Sequence, residues 1–99
     1  MYARVAQWKG ADAESMKATA AEIKAQAEAG DGPPPGVPSK EFLLLQDPEG
    51  GRVIAIMLFE SEDDYRTADR TLNEMPAADT PGSRTSVGKY NVEMRMTAV

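Results

Sequence analysis

Apolar and polar positions alternate along the chain with two different periods, near two and near 3.6 residues, and the switches between them set the element order. Tyr2 to Lys9 reads as a first strand. Tyr2, Arg4, Ala6 and Trp8 share one face, Ala3, Val5 and Gln7 share the other, and Gly10 ends it. Asp12 is placed to cap a helix running from Ala13 to Ala29. Its apolar positions Ala13, Met16, Ala20, Ile23 and Ala27 fall at three- and four-residue steps, which predicts a single alanine-rich stripe close against its neighbour. Gly30 supplies the stop. Residues 31–39 hold Pro33, Pro34, Pro35 and Pro38, which forbid helix and central strand. That stretch reads as a rigid connector from helix to sheet, with a ligand-recognition arm as the functional alternative.

Glu41 to Gln46 and Arg52 to Glu60 read as two strands joined by the turn Asp47-Pro48-Glu49-Gly50-Gly51. Val53 to Phe59 is apolar on both faces, so this strand is expected centrally, with both faces covered. Ser61 is the N-cap of a second helix, and Asp64 stands at the capping-box position. Tyr65, Ala68, Leu72 and Met75 form its predicted buried stripe, Glu62 is placed to pair with Arg66, and Pro76 stops it. After a loop carrying Pro81-Gly82, Arg84 to Thr97 alternates again. Ser86, Gly88, Tyr90, Val92, Met94 and Met96 face one way; Val87, Lys89, Asn91, Glu93 and Arg95 face the other.

Strand, helix, strand, strand, helix, strand is the ferredoxin-like βαββαβ order of an α+β fold, with a four-stranded antiparallel sheet. Right-handed crossovers put both helices on one face of it. The 99 residues are expected to form a single domain. The uncovered face would then present half of an apolar central strand to water. A second copy related by a two-fold is the expected cover.

Charge and composition narrow the functional classes. With 11 basic and 16 acidic residues the net charge is −5, which opposes binding to nucleic acid and to anionic membranes. An RNA-recognition sheet of the same topology would need exposed aromatics and basic charge on its open face, and neither is evident. There is no cysteine and no histidine. Their absence excludes disulfides, zinc-thiolate and iron–sulfur sites, cysteine nucleophiles, and the commonest metal ligand and general base. No cofactor and no metal are expected. Glu62, Asp63 and Asp64 form an acidic triplet, but carboxylates at a helix start are favoured by the helix dipole alone. The longest apolar run, Val53 to Phe59, is far short of the ~20 residues that span a bilayer. Met1-Tyr2 leads directly into a strand, so a cytoplasmic location is expected.

The strand Tyr2-Ala3-Arg4-Val5-Ala6-Gln7-Trp8, the helix opening soon after Gly10, and the run from Val53 through Phe59 into Ser61-Glu62-Asp63-Asp64-Tyr65 carry a family resemblance. Over nearly its whole length the chain resembles the dimeric α+β barrel superfamily. The likeness is to its antibiotic-biosynthesis-monooxygenase-like and stress-responsive members. The resemblance implies a homodimer whose two sheets form a barrel, with a mostly apolar pocket between sheet and helices in each subunit. Haem-degrading members need a histidine that this chain lacks. Cofactor-free monooxygenases, which act on phenols or quinols, remain compatible, as does a non-catalytic small-molecule-binding or interaction module of the same fold.

Tryptophan, asparagine, tyrosine and arginine hold the substrate in the monooxygenases, and the residue types available here are Trp8, Asn73, Tyr65, Tyr90 and Arg4. Trp8 is either a stacking wall for a planar ligand or a cap on one end of the core. Tyr65 and Tyr90 both sit on stripes predicted to be buried, where each hydroxyl needs a partner. Arg4, on a central strand, either holds an anionic or phenolate ligand or pairs with Glu93 or another carboxylate. Lys89, Asn91, Glu93 and Arg95 read as a solvated edge or as intersubunit partners. Met57, Met75, Met94 and Met96 are ordinary core residues or the lining of an adaptable pocket.

Overall fold

The computed structural model describes residues 1–30, 37–74 and 82–96. The elements are β1 (Tyr2–Lys9), α1 (Ala13–Glu28), β2 (Glu41–Asp47), β3 (Arg52–Phe59), α2 (Glu62–Glu74) and β4 (Ser83–Asn91). The fold is the expected ferredoxin-like one: a single four-stranded sheet of order β2-β3-β1-β4, antiparallel at every pairing. β3, the strand with the fewest charges, takes one of the two central places and β1 the other.

Register fixes the faces. Tyr2 lies opposite Phe59, Arg4 opposite Met57, Ala6 opposite Ala55 and Trp8 opposite Val53, and all of these point toward the helices. The core forms two clusters on that side. In one, Phe59, Val37, Tyr65 and Ala68 are buried, with Tyr2, Met57 and Leu72 packed against them. In the other, Ala11, Met16 and Val53 are buried beside Trp8 and Leu44. α2 therefore sits over β1 and β3 with Tyr65 and Ala68 inward, as the stripe predicted. Met75 falls outside the described residues.

The caps follow from the sequence. Asp12 Oδ1 accepts from the Ser15 amide at 2.7 Å, and Ser61 Oγ accepts from the Asp64 amide at 3.1 Å. The Glu62–Arg66 pair forms at 3.0 Å. The β2–β3 turn needs a glycine for a reason beyond the turn itself. Gly51 has φ +68, and a Cβ there would lie 3.1 Å from the Ala11 carbonyl oxygen. That close approach lets the Gly51 carbonyl accept from the Ala11 amide at 3.2 Å, tying the turn to the start of α1.

Several expectations are corrected. The alanine stripe of α1 is not buried along its length: among its residues only Met16 is, and Ala13 and Ala27 are exposed. Small side chains leave little area to bury, so α1 is held instead by Met16 and by Gln46 Nε2, which donates to the Met16 carbonyl at 2.9 Å. β4 ends at Asn91 rather than Thr97. Residues 92–96 leave the ladder, with Met94 and Met96 exposed. Arg95 pairs with Glu41 on the β2 edge. The proline-rich connector falls outside the described residues over 31–36, but its end is placed. Val37 is 2% exposed and joins the Phe59 cluster.

β3 is central; its helix-facing side is covered, whereas the opposite face is covered only at one end, where Leu58 and its partner Ala3 are buried. Elsewhere on that face Leu43 and Leu45 of β2 are 49% and 47% exposed, and Tyr90 of β4 is 55% exposed. Val5, Ile54 and Ile56 between them are half-buried. No described helix is long and apolar enough to cross a membrane.

Candidate functional site

Polar chemistry gathers where α2 crosses β1 and β4. Arg4 is 5% exposed and is the one buried charged residue among those described. A guanidinium so placed must be neutralised, and α2 does it. Arg4 Nε donates to Asp69 Oδ1 at 2.9 Å, and Nη2 donates to Asn73 Oδ1 at 3.3 Å. Asp69 and Asn73 are one helical turn apart, so both reach down to the same guanidinium. The carboxylate partner is thus Asp69 of α2; Glu93, the named alternative, lies exposed beyond the end of β4. Arg84 Nη1 donates to the same Asn73 Oδ1 at 3.2 Å from the β4 side.

Beside this group, Lys89 lies across from Arg4 in the β1–β4 ladder and on the same face. Its Nζ sits 5.1 Å from the Tyr2 ring centroid and 5.3 Å from that of Tyr65, a cation over two π faces. It also donates to Glu62 Oε1 at 2.9 Å. That bond, with the charges of Lys89 and Arg66, holds the Glu62 carboxyl below its usual range. Lys89 stays exposed on the edge strand β4, as the solvated-edge reading has it, while its ammonium is paired within its own chain. Tyr65 packs edge-to-face on Phe59 at 5.7 Å and 84°. Burial, and then the negative charge of Asp69, push its phenol above the usual tyrosine range.

The structure brings together Arg4, Tyr65 and Asn73 of the predicted ligand-holding set. Trp8 lies at the other end of the helix-facing side, against Met16, Val53 and Leu44. Tyr90 is on the opposite face of the sheet and 55% exposed, so its predicted burial is corrected. A shallow depression lined by Met1, Val92, Glu93, Met94 and Arg95 contains none of the five. Among the described residues there is no cluster of acidic side chains placed to hold a metal.

Sequence reading missed Asp69 and Arg84. Asp69 was findable, since it flanks the Tyr65–Ala68–Leu72 stripe one turn from both Tyr65 and Asn73. Arg84 was not. A shift in the β1–β4 register between Gln7 and Trp8 puts Arg84 opposite Trp8, on the helix-facing side. No family model and no curated protein matches the chain.

Proposed function

We propose that the protein acts as a homodimer whose open sheet faces close on each other in an α+β barrel, serving as a non-catalytic small-molecule-binding or interaction module. The observation that carries this reading is the uncovered apolar face: Leu43, Leu45 and Tyr90 are about half exposed, around the half-buried Val5, Ile54 and Ile56. Helix α2 packs on the other face through Tyr65 and Ala68. A two-fold would bring like to like, which suits an apolar patch and suits no net charge. Support for a module rather than an enzyme comes from Lys89, whose ammonium is bound to Glu62 of the same chain.

Leu45→Asp tests the pairing. Leu45 is 47% exposed, so the isolated subunit loses little by the change. Each dimer would bury two unpaired carboxylates, weakening association by about a hundredfold or more. Light scattering at micromolar concentration should give two chains for the parent and one for the variant. A parent that stays monomeric would end the reading.

The convergence of Arg4, Tyr65 and Asn73 favours one second reading, a cofactor-independent monooxygenase for a planar phenol or quinol. Oxygen uptake with a quinol panel, abolished in a Trp8→Phe, Tyr65→Phe, Arg4→Ala triple variant, would establish it. Uptake unchanged in that variant would remove those residues from the role.

A further inference from the structure

Two guanidiniums meeting at one neutral oxygen is an unusual use of charge in a protein of net charge −5. Arg4 Nη2 and Arg84 Nη1 both donate to Asn73 Oδ1, at 3.3 Å and 3.2 Å. Among the described residues Asp69, bound to Arg4 Nε, is the one carboxylate within ion-pair distance of either cation. Among the described residues no carboxylate lies within ion-pair distance of Arg84, although Asp47, Glu62 and Glu41 each hold an arginine elsewhere. We propose that Arg4, Arg84 and Asn73 form a binding site for a small organic monocarboxylate, in which a ligand oxygen takes the place now held by the Asn73 amide oxygen.

The chemistry of the donors selects the ligand. A guanidinium presents paired N–H groups in a plane that matches a carboxylate. Exchanging a neutral amide oxygen for an anionic one turns two ordinary hydrogen bonds into charge-assisted ones, roughly twice as strong. Arg4 is 5% exposed on a central strand, so its donors are fixed in a poorly solvated setting where charge interactions are strengthened. Asn73 and Arg84 are exposed, so the amide can rotate aside and the arginine can follow a ligand in from solvent. Asp69, 2.9 Å from Arg4 Nε, repels a second negative charge and so favours a monoanion over a phosphate dianion. This deepens the binding-module reading by naming its ligand class, while the site itself lies within one chain.

The test is a titration of the whole chain with sodium acetate and with sodium benzoate, followed on the arginine Nε–Hε resonances, with sodium chloride at matched ionic strength as reference. Saturable shifts at Arg4 and Arg84 with the carboxylates and not with chloride are expected, with phosphate weaker than acetate. Arg84→Gln, a change at an exposed position, should weaken binding about tenfold. Asn73→Asp, which puts a carboxylate where the ligand would sit, should abolish binding and raise the melting temperature. Non-saturating shifts equal to those of chloride, or an Arg84→Gln variant that binds like the parent, would overturn the site. Light scattering on the same samples separates the two readings. A dimer without acetate binding overturns the carboxylate site alone, and a monomer that binds acetate supports the site while overturning the pairing.

Discussion

Phe59→Ala is expected to destabilise the fold by roughly 3–5 kcal/mol, the range for truncating a large buried aromatic. Phe59 is 0% exposed. It ends the central strand β3, and its neighbours come from three separate parts of the chain: Val37 from the connector, Tyr2 from β1, and Tyr65, Ala68 and Leu72 from α2. Removing the ring leaves a void that these elements cannot all close at once, and it takes away the edge-to-face contact with Tyr65. Domains of this size have about 5–15 kcal/mol in total, so the loss is a large share of the whole. Urea unfolding should show the midpoint falling with an unchanged slope, and the melting temperature dropping by more than about 12 °C. Phe59→Leu, which keeps most of the volume, should recover much of the difference. A Phe59→Ala loss under about 1 kcal/mol would mean that the α2 side is not where the core is centred.

The same residue shows what was legible in the sequence. Phe59 closes an apolar run, Tyr65 opens a 3.6-residue stripe, and Ser61 caps between them, so strand, cap and helix could be read locally. Sheet order followed because the run from Val53 to Phe59 has no polar face to give to water, which places it centrally. Other features depend on tertiary placement. Val37 sits beyond a proline run that says only that the chain is extended, and nothing local indicates that it enters the core. The stripe on α1 was real as a pattern but weak as a driving force, because alanine buries too little area to fix a helix along its length. In β4, strict alternation groups Arg84 with Ser86 on the open face. The register shift at Gln7–Trp8 turns it to the helix side and thereby creates the contact with Asn73. The candidate site was half legible for that reason: Arg4 and Tyr65 follow from periodicity and Asn73 was named by residue type through the family resemblance, whereas Arg84 depends on a bulge without a sequence signature.

Asp69→Ala is expected to cost about 1.5–3 kcal/mol, the range for a hydrogen bond to a charged group whose loss leaves its partner buried. A fully buried pair would cost more, about 3–5 kcal/mol. Here the Asp69 side chain is 34% exposed against 6% for Arg4, so solvent screens part of the loss. The two partners should respond unequally. Without Asp69 the guanidinium keeps its place under α2 with only the Asn73 amide oxygen as a described acceptor. Arg4→Met removes the charge itself, fills the space with an apolar chain of similar length and frees Asp69 to turn toward water. Its cost is expected to stay under about 1.5 kcal/mol. Adding Asp69→Ala to Arg4→Met should then cost almost nothing, and the double-mutant cycle reads the difference as the coupling energy. Salt should leave that coupling largely intact, because a charge this buried is poorly screened, whereas the exposed Arg66–Glu62 pair should fade. If Asp69→Ala proved as mild as Arg4→Met, Arg4 would have another acceptor in solution. The fixed guanidinium on which the carboxylate site depends would then be lost with it.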